Sequence, residues 1–214
     1  MEHCNTSLRQ LIENTSYFPE TQLKTILRDV ASGLKVLHLK NVVHLDIKPE
    51  NILFSQSNKY KIADLGLSRI AISVKGEDII EGDSRYLAPE LLNEVQEDYL
   101  PDLKKADIFS LGVTFYELIT RRTIPNNGEE WHMIRSGKLV GLETEISGKI
   151  KEIVRRMVHP KPEMRPSAEE VLNCEFLKED SEAEIRWEIM ENEVLRSRIK
   201  EYERLLGIKR KKSI

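Results

Sequence analysis

Apolar residues recur at steps of three and four from Leu23 through Ile26, Leu27, Val30 and Leu34 to Leu37. That spacing lays one apolar stripe along a helix of about residues 20–40. Beyond it the pattern shortens. Val42-Val43, Ile52-Leu53-Phe54 and Tyr60-Lys61-Ile62 are brief β-rich pieces, with the polar turn Ser55 to Asn58 between the last two. Residues 64–90 keep no period and carry glycines, serines and many acids, which predicts a long ordered loop. Loops of that length inside a compact domain usually serve a function. From Lys104 nearly every position is apolar, through Ala106, Ile108, Phe109, Leu111, Val113, Phe115, Tyr116, Leu118 and Ile119, as in a helix buried at the centre of a domain. Shorter helices are expected near 129–136 and 148–158. Ser167 with Glu170 forms an S-x-x-E capping box that opens a helix through Leu172.

The character changes at residue 178. Trp187, Met190, Val194, Leu195, Ile199, Tyr202 and Leu206 form a single stripe on an otherwise charged helix, ahead of the basic run Lys209-Arg210-Lys211-Lys212. The expected organisation is a domain over 1–177 and a charged amphipathic helical tail with a basic end over 178–214.

Composition narrows the class. The 214 residues are 40% hydrophobic and 32% charged, the balance of a soluble globular protein. A net charge of −3 argues against a nucleic-acid binder. The two cysteines, Cys4 and Cys174, stand in no metal-ligand spacing, which points to a reducing compartment and inert thiols. No apolar run approaches a membrane span and no leader opens the chain, so a cytoplasmic or nuclear protein is expected.

Chemistry concentrates in His44-Leu45-Asp46-Ile47-Lys48-Pro49-Glu50-Asn51. Phosphoryl transfer asks for a carboxylate to orient the attacking hydroxyl, metal ions against phosphate charge, and groups that hold both in line. Asp46 suits the first task, Lys48 offers charge to the transferring phosphate, and Asn51 offers an amide oxygen to magnesium. Asp64-Leu65-Gly66 follows thirteen residues after Asn51, where a carboxylate leaving a strand can hold magnesium against bridging phosphates. Alone it reads as a turn. Ala88-Pro89-Glu90 closes the loop that Asp64 opens, and Glu90 is a candidate partner for Arg165.

These three motifs, in this order, resemble those of the protein kinase superfamily over residues 1–177. The resemblance implies an α+β, protein kinase-like fold, of which this chain holds the mainly helical C-terminal lobe. It implies ATP and Mg2+ as cofactors, Asp46 and Lys48 as catalytic residues, and Asn51 and Asp64 as metal holders. It also gives Asp107 a role as a buried carboxylate bracing the backbone of the catalytic loop.

Three departures from the common pattern sharpen the resemblance. Leu45 replaces the arginine that usually precedes the catalytic aspartate and receives an activating phosphate, so no such switch is expected. Leu65 replaces the usual phenylalanine, and the segment from Asp64 to Glu90 contains no threonine. With Glu81-Gly82-Asp83 before Arg85, the Trp131-His132 pair and Met157-Val158-His159-Pro160, the chain looks like the Wee and Myt kinases. That likeness implies phosphorylation of an inhibitory tyrosine on a cyclin-dependent kinase and negative regulation of the cell cycle. Lys48 occupies a position that elsewhere in the superfamily suggests serine/threonine specificity, although Wee-type kinases carry it too. An unrelated Ser/Thr kinase is the alternative.

Met1 to Asn5 match the hinge between kinase lobes, which makes Glu2 and Cys4 candidates to touch nucleotide. No glycine-rich phosphate loop occurs in residues 1–41, so these 214 residues alone are expected to bind ATP weakly and transfer phosphate poorly. Two explanations stand open: a truncated Wee-type enzyme, or a non-catalytic lobe acting as a binding module. The intact Asp46, Lys48, Asn51 and Asp64 favour the first. The tail stripe reads equally as a docking helix or a helix packed on its own domain. Its basic end suggests nuclear import. Ser68, Ser73 and Ser84 are candidate phosphorylation sites of local effect.

Overall fold

The computed structural model describes residues 4–71, 82–92, 102–142 and 146–178. In chain order these form β1 (Cys4–Ser7), α1 (Leu8–Asn14), α2 (Glu20–Leu39), β2 (Val42–Val43), β3 (Ile52–Ser55), β4 (Tyr60–Ile62) and β5 (Arg69–Ile70). There follow α3 (Leu103–Thr120), α4 (Gly128–Arg135), α5 (Gly148–Met157), α6 (Ala168–Leu172) and α7 (Glu175–Lys178). Glu2, Ser73 and the tail stripe Trp187 to Leu206 lie outside the described residues.

The long helix of the periodic stretch runs over Glu20–Leu39 and buries Leu23, Ile26, Leu27, Val30 and Leu34, with Leu37 half-buried against the core. It ends where Asn41 turns to φ 56°, a left-handed conformation that asparagine tolerates. The all-apolar helix is α3, opened by Asp102, whose carboxylate accepts from the Lys104 N–H. Both faces of α3 are covered, and every residue from Ala106 to Ile119 is buried. α2 packs on α6 and β4, and α3 on α5, so the two long helices form the frame of the core.

Two differences from the sequence pattern stand out. Ahead of the first predicted helix, Cys4–Ser7 is a strand and Leu8–Asn14 a helix. The helix starts at a capping box: Gln10 N–H donates to Ser7 Oγ at 3.3 Å and Ser7 N–H to Gln10 Oε1 at 3.0 Å. β1, β3 and β4 make an antiparallel sheet in that order, with Thr6 opposite Phe54 and Phe54 opposite Tyr60. The second difference is β5, which pairs with β2 through Val42–Ile70 and Val43–Arg69 and so ties the start of the long loop down.

α3 and α5 meet at Gly112. A Cβ built there would lie 2.8 Å from Met157 Cβ and 2.8 Å from Val158 Cγ1, both fixed in the core. Gly112→Ala is therefore expected to cost about 1–3 kcal/mol by overpacking, read from the urea unfolding midpoint. An unchanged midpoint would mean that the two helices can separate at no cost.

Candidate active site

The loop after β2 is shaped by one buried carboxylate. Asp107, on α3, accepts from the backbone N–H groups of His44 at 2.9 Å and Leu45 at 2.8 Å, and pairs with His38 Nε2 at 2.8 Å. This is the bracing role expected of it. Leu45 stands at φ 65°, where a branched side chain is strained by roughly 1–3 kcal/mol, and Asp107 holds that turn from below. The His44 ring completes the frame. Its Nε2 lies 3.0 Å from the Ala63 carbonyl and its Nδ1 accepts from the Asp46 N–H at 3.3 Å, so the proton sits on Nε2.

Asp46 emerges from this turn with each carboxylate oxygen engaged. Oδ2 accepts from Asn51 Nδ2 at 2.7 Å and lies 2.8 Å from Lys48 Nζ. Oδ1 accepts from the Asp83 N–H at 3.4 Å. Asn51 Nδ2 also reaches the Asp46 carbonyl at 2.9 Å, which commits the amide nitrogen and leaves Asn51 Oδ1 as the acceptor of that side chain. A short 3-10 turn over Pro49–Asn51 supplies the reach. The structure thus brings together Asp46, Lys48 and Asn51. Asp64 is linked to them through the backbone: the Ala63 N–H donates to the Asn51 carbonyl at 2.8 Å. Asp64 itself stands at φ 63°, exposed, with Oδ1 accepting from Gly66 N–H at 3.1 Å. Cys4 is half-buried in β1 opposite Ser55.

The segment 82–92 packs closely on this loop. A Cβ on Gly82 would stand 2.6 Å from the Leu45 carbonyl, so only glycine allows the approach. Arg85 grips Asp83 with Nε at 3.0 Å and Nη2 at 2.6 Å, and reaches Glu50 Oε1 at 3.3 Å. Burial pushes the Asp83 carboxyl up, but hydrogen bonds from the Arg85 side chain and backbone outweigh it and hold it below the ordinary range. Arg9 on α1 enters the same group, bonding Glu50, Tyr86 and Glu117. At the far side, Trp131 Nε1 and Arg135 Nη2 both donate to the Ser84 carbonyl, at 3.0 and 2.5 Å, with the Arg135 guanidinium 3.7 Å above the Trp131 ring. Burial lowers the Arg135 pKa to about 10. Glu90 forms the anticipated pair with Arg165, at 2.6 and 2.8 Å.

Arg9 and Glu117 did not stand out in the sequence, and Glu50, inside the His44–Asn51 motif, and Arg135, close behind the Trp131-His132 pair, carried no assigned role. Glu117 carries a local signal: like Asp107, it is a carboxylate in the buried stretch of α3 and must find a partner there.

The protein kinase domain family matches residues 1–177. Among curated proteins, the chain is 39% identical over 193 residues to Wee1-like protein kinase 2 of Gallus gallus, covering 78% of this chain and 33% of that protein. It is 36% identical over 203 residues to the membrane-associated tyrosine- and threonine-specific cdc2-inhibitory kinase of Drosophila melanogaster, covering 92% and 37%. Against Wee1-like protein kinase 2 of Ailuropoda melanoleuca the identity is 36% over 205 residues, covering 83% and 35%. The matched stretches are thus about a third of the length of these relatives.

Proposed function

The chain belongs to the protein kinase family, and from that premise we propose that it transfers the γ-phosphate of ATP to a protein hydroxyl, as a Wee-type kinase. The observation that carries this reading is the cluster in which Asp46 meets Lys48 and Asn51 within 2.8 Å. Asp46 orients the substrate hydroxyl and accepts its proton. Lys48, held against Asp46, presents its ammonium to the transferring phosphoryl group. The residues fit a magnesium ion: Asn51 keeps its amide oxygen free because its nitrogen is committed to Asp46, and Asp64 offers an exposed carboxylate. Oxygen-only donors, few in number, suit a cation that takes its remaining ligands from phosphates and water. When bound, Mg2+ neutralises phosphate charge. Cys4, with Glu2, is the candidate for adenine contact at the start of β1.

The substrate we propose is the inhibitory tyrosine of a cyclin-dependent kinase, with the nucleus as the place of action. Support comes from the Wee1-like relatives, from the words tyrosine- and threonine-specific and cdc2-inhibitory in the name of the Drosophila protein, and from the basic cluster at Lys209 to Lys212. No helix among the described residues is long and apolar enough to cross a membrane.

Incubation of the full-length protein with Mg-ATP and a cyclin-dependent kinase is expected to give phosphotyrosine by phosphoamino-acid analysis. Phosphoserine or phosphothreonine alone would replace the proposed specificity with a Ser/Thr one. Tight binding of the substrate kinase without transfer would favour a non-catalytic binding module.

A further inference from the structure

Arg9 lies on α1, outside every motif of the phosphoryl-transfer machinery, yet its guanidinium joins four parts of the chain. Nε donates to Glu50 Oε1 at 3.1 Å, in the 3-10 turn that carries Asn51. Nη1 and Nη2 hold both oxygens of Glu117, on α3, at 2.7 and 3.1 Å. Nη2 also meets the Tyr86 hydroxyl at 2.7 Å, and that hydroxyl donates to Glu117 at 2.6 Å. The Glu117 side chain is 2% exposed and that of Arg9 18%, so the group is largely withdrawn from water.

The contacts continue to the catalytic loop. Glu50 Oε1, fixed by Arg9, also receives Arg85. Arg85 in turn grips Asp83 with two parallel bonds, and the Asp83 N–H reaches Asp46 Oδ1. A rigid planar fork spreads its donors over three nitrogens and so reaches acceptors that lie apart, whereas the three donors of an ammonium radiate from one atom. The chain also lacks the arginine before Asp46 that would fix this segment through a phosphate, having Leu45 there. Some other device must hold residues 82–88 against the loop.

We propose that Arg9 is that device: a positioning residue that, through Glu50 and Tyr86, keeps Asp83 on the carboxylate of Asp46 without phosphorylation. The proposal rests on the kinase reading for its catalytic consequence, and on geometry alone for the tether. A plain structural ion pair between Arg9 and Glu117 is the competing account.

The test separates them. Arg9→Met by itself would leave Glu117 charged and buried without a partner, a loss that misfolding alone could explain. The double variant Arg9→Met/Glu117→Gln removes both charges together and keeps an acceptor for the Tyr86 hydroxyl. In the full-length protein its unfolding midpoint is expected to stay close to wild type. Amide exchange across residues 82–88 should accelerate by about tenfold or more. The turnover number should fall about tenfold with the KM for ATP unchanged. Arg9→Lys, which keeps the charge but not the fork, should recover only part of either loss. Unaltered exchange in 82–88 would overturn the proposal whatever the activity, and so would faster exchange with full turnover. Faster exchange in the variant, beside a wild type that transfers no phosphate, would uphold the tether and remove the kinase reading instead.

Discussion

Asp46→Asn in the full-length protein is expected to lower the turnover number by about a thousandfold while leaving the fold intact. The substitution keeps the side-chain shape and an acceptor oxygen. That one oxygen can keep the Asp83 N–H, 3.4 Å from Oδ1, only by turning the new amide nitrogen toward Asn51 Nδ2, which then holds to the backbone carbonyl at 2.9 Å alone; the bonds that Asp107 accepts from the His44 and Leu45 N–H groups are untouched. What is lost is the negative charge. An amide cannot take the proton of an attacking hydroxyl, and it no longer draws Lys48 Nζ to 2.8 Å. The Lys48–Asp46 pair is largely buried, with 19% and 10% of the side chains exposed, so loss of its negative partner should cost about 1–3 kcal/mol. The KM for ATP should stay within about threefold, because Asn51 keeps its bond to the backbone carbonyl of position 46, at 2.9 Å, and Asp64 is not altered. Turnover of labelled ATP into substrate, beside a thermal melt, decides the matter. A variant retaining more than about a tenth of wild-type turnover would remove Asp46 from the role of base.

The parts of this site that the sequence announced are those whose partners lie close along the chain. Asp46, Lys48 and Asn51 fall within six residues, and a 3-10 turn at Pro49 brings them together on a loop that Asp107 braces from below. The helix over Glu20–Leu39 and the Ser167–Glu170 capping box are equally local. Asp107 and Arg165 are distant from what they hold: Arg165 was legible as a candidate partner for Glu90 from the motifs, and Asp107 only through the family resemblance. The Arg9 group had no such guide. Arg9 sits 41 residues from Glu50 and 108 from Glu117, on a seven-residue helix, opened by the Ser7–Gln10 capping box, that is too short to show an apolar period. β5 escaped because a two-residue strand inside an acidic loop has no period to show; only its pairing with Val42-Val43 defines it. Trp131 stood out by family likeness, but its purpose did not. Its indole and the neighbouring Arg135 converge on one carbonyl, that of Ser84, a contact that the helical pattern of α4 cannot reveal.

Arg165→Met should be the most destabilising of the substitutions considered, at about 3–5 kcal/mol. The Arg165 side chain is fully buried and donates to both oxygens of Glu90, to the carbonyls of Lys105, His159 and Pro160, and stacks 4.8 Å from the Phe109 ring centre. Methionine fills part of the volume and restores none of these bonds. The largest single loss is Glu90, whose side chain is only 6% exposed and would be left as a buried carboxylate without a cation. Against a total stability of about 5–15 kcal/mol, such a loss brings the protein close to unfolding, so urea titration in the cold is the suitable measurement. The double variant Arg165→Met/Glu90→Gln distinguishes the causes. Should it regain about 2 kcal/mol over Arg165→Met, the cost lies in the stranded charge and the pair serves chiefly to fix where the segment ending at Glu90 is anchored. A double variant as unstable as Arg165→Met would instead place the cost in the three orphaned carbonyls, and make Arg165 a bracket for the backbone of 159–165 first and a partner of Glu90 second.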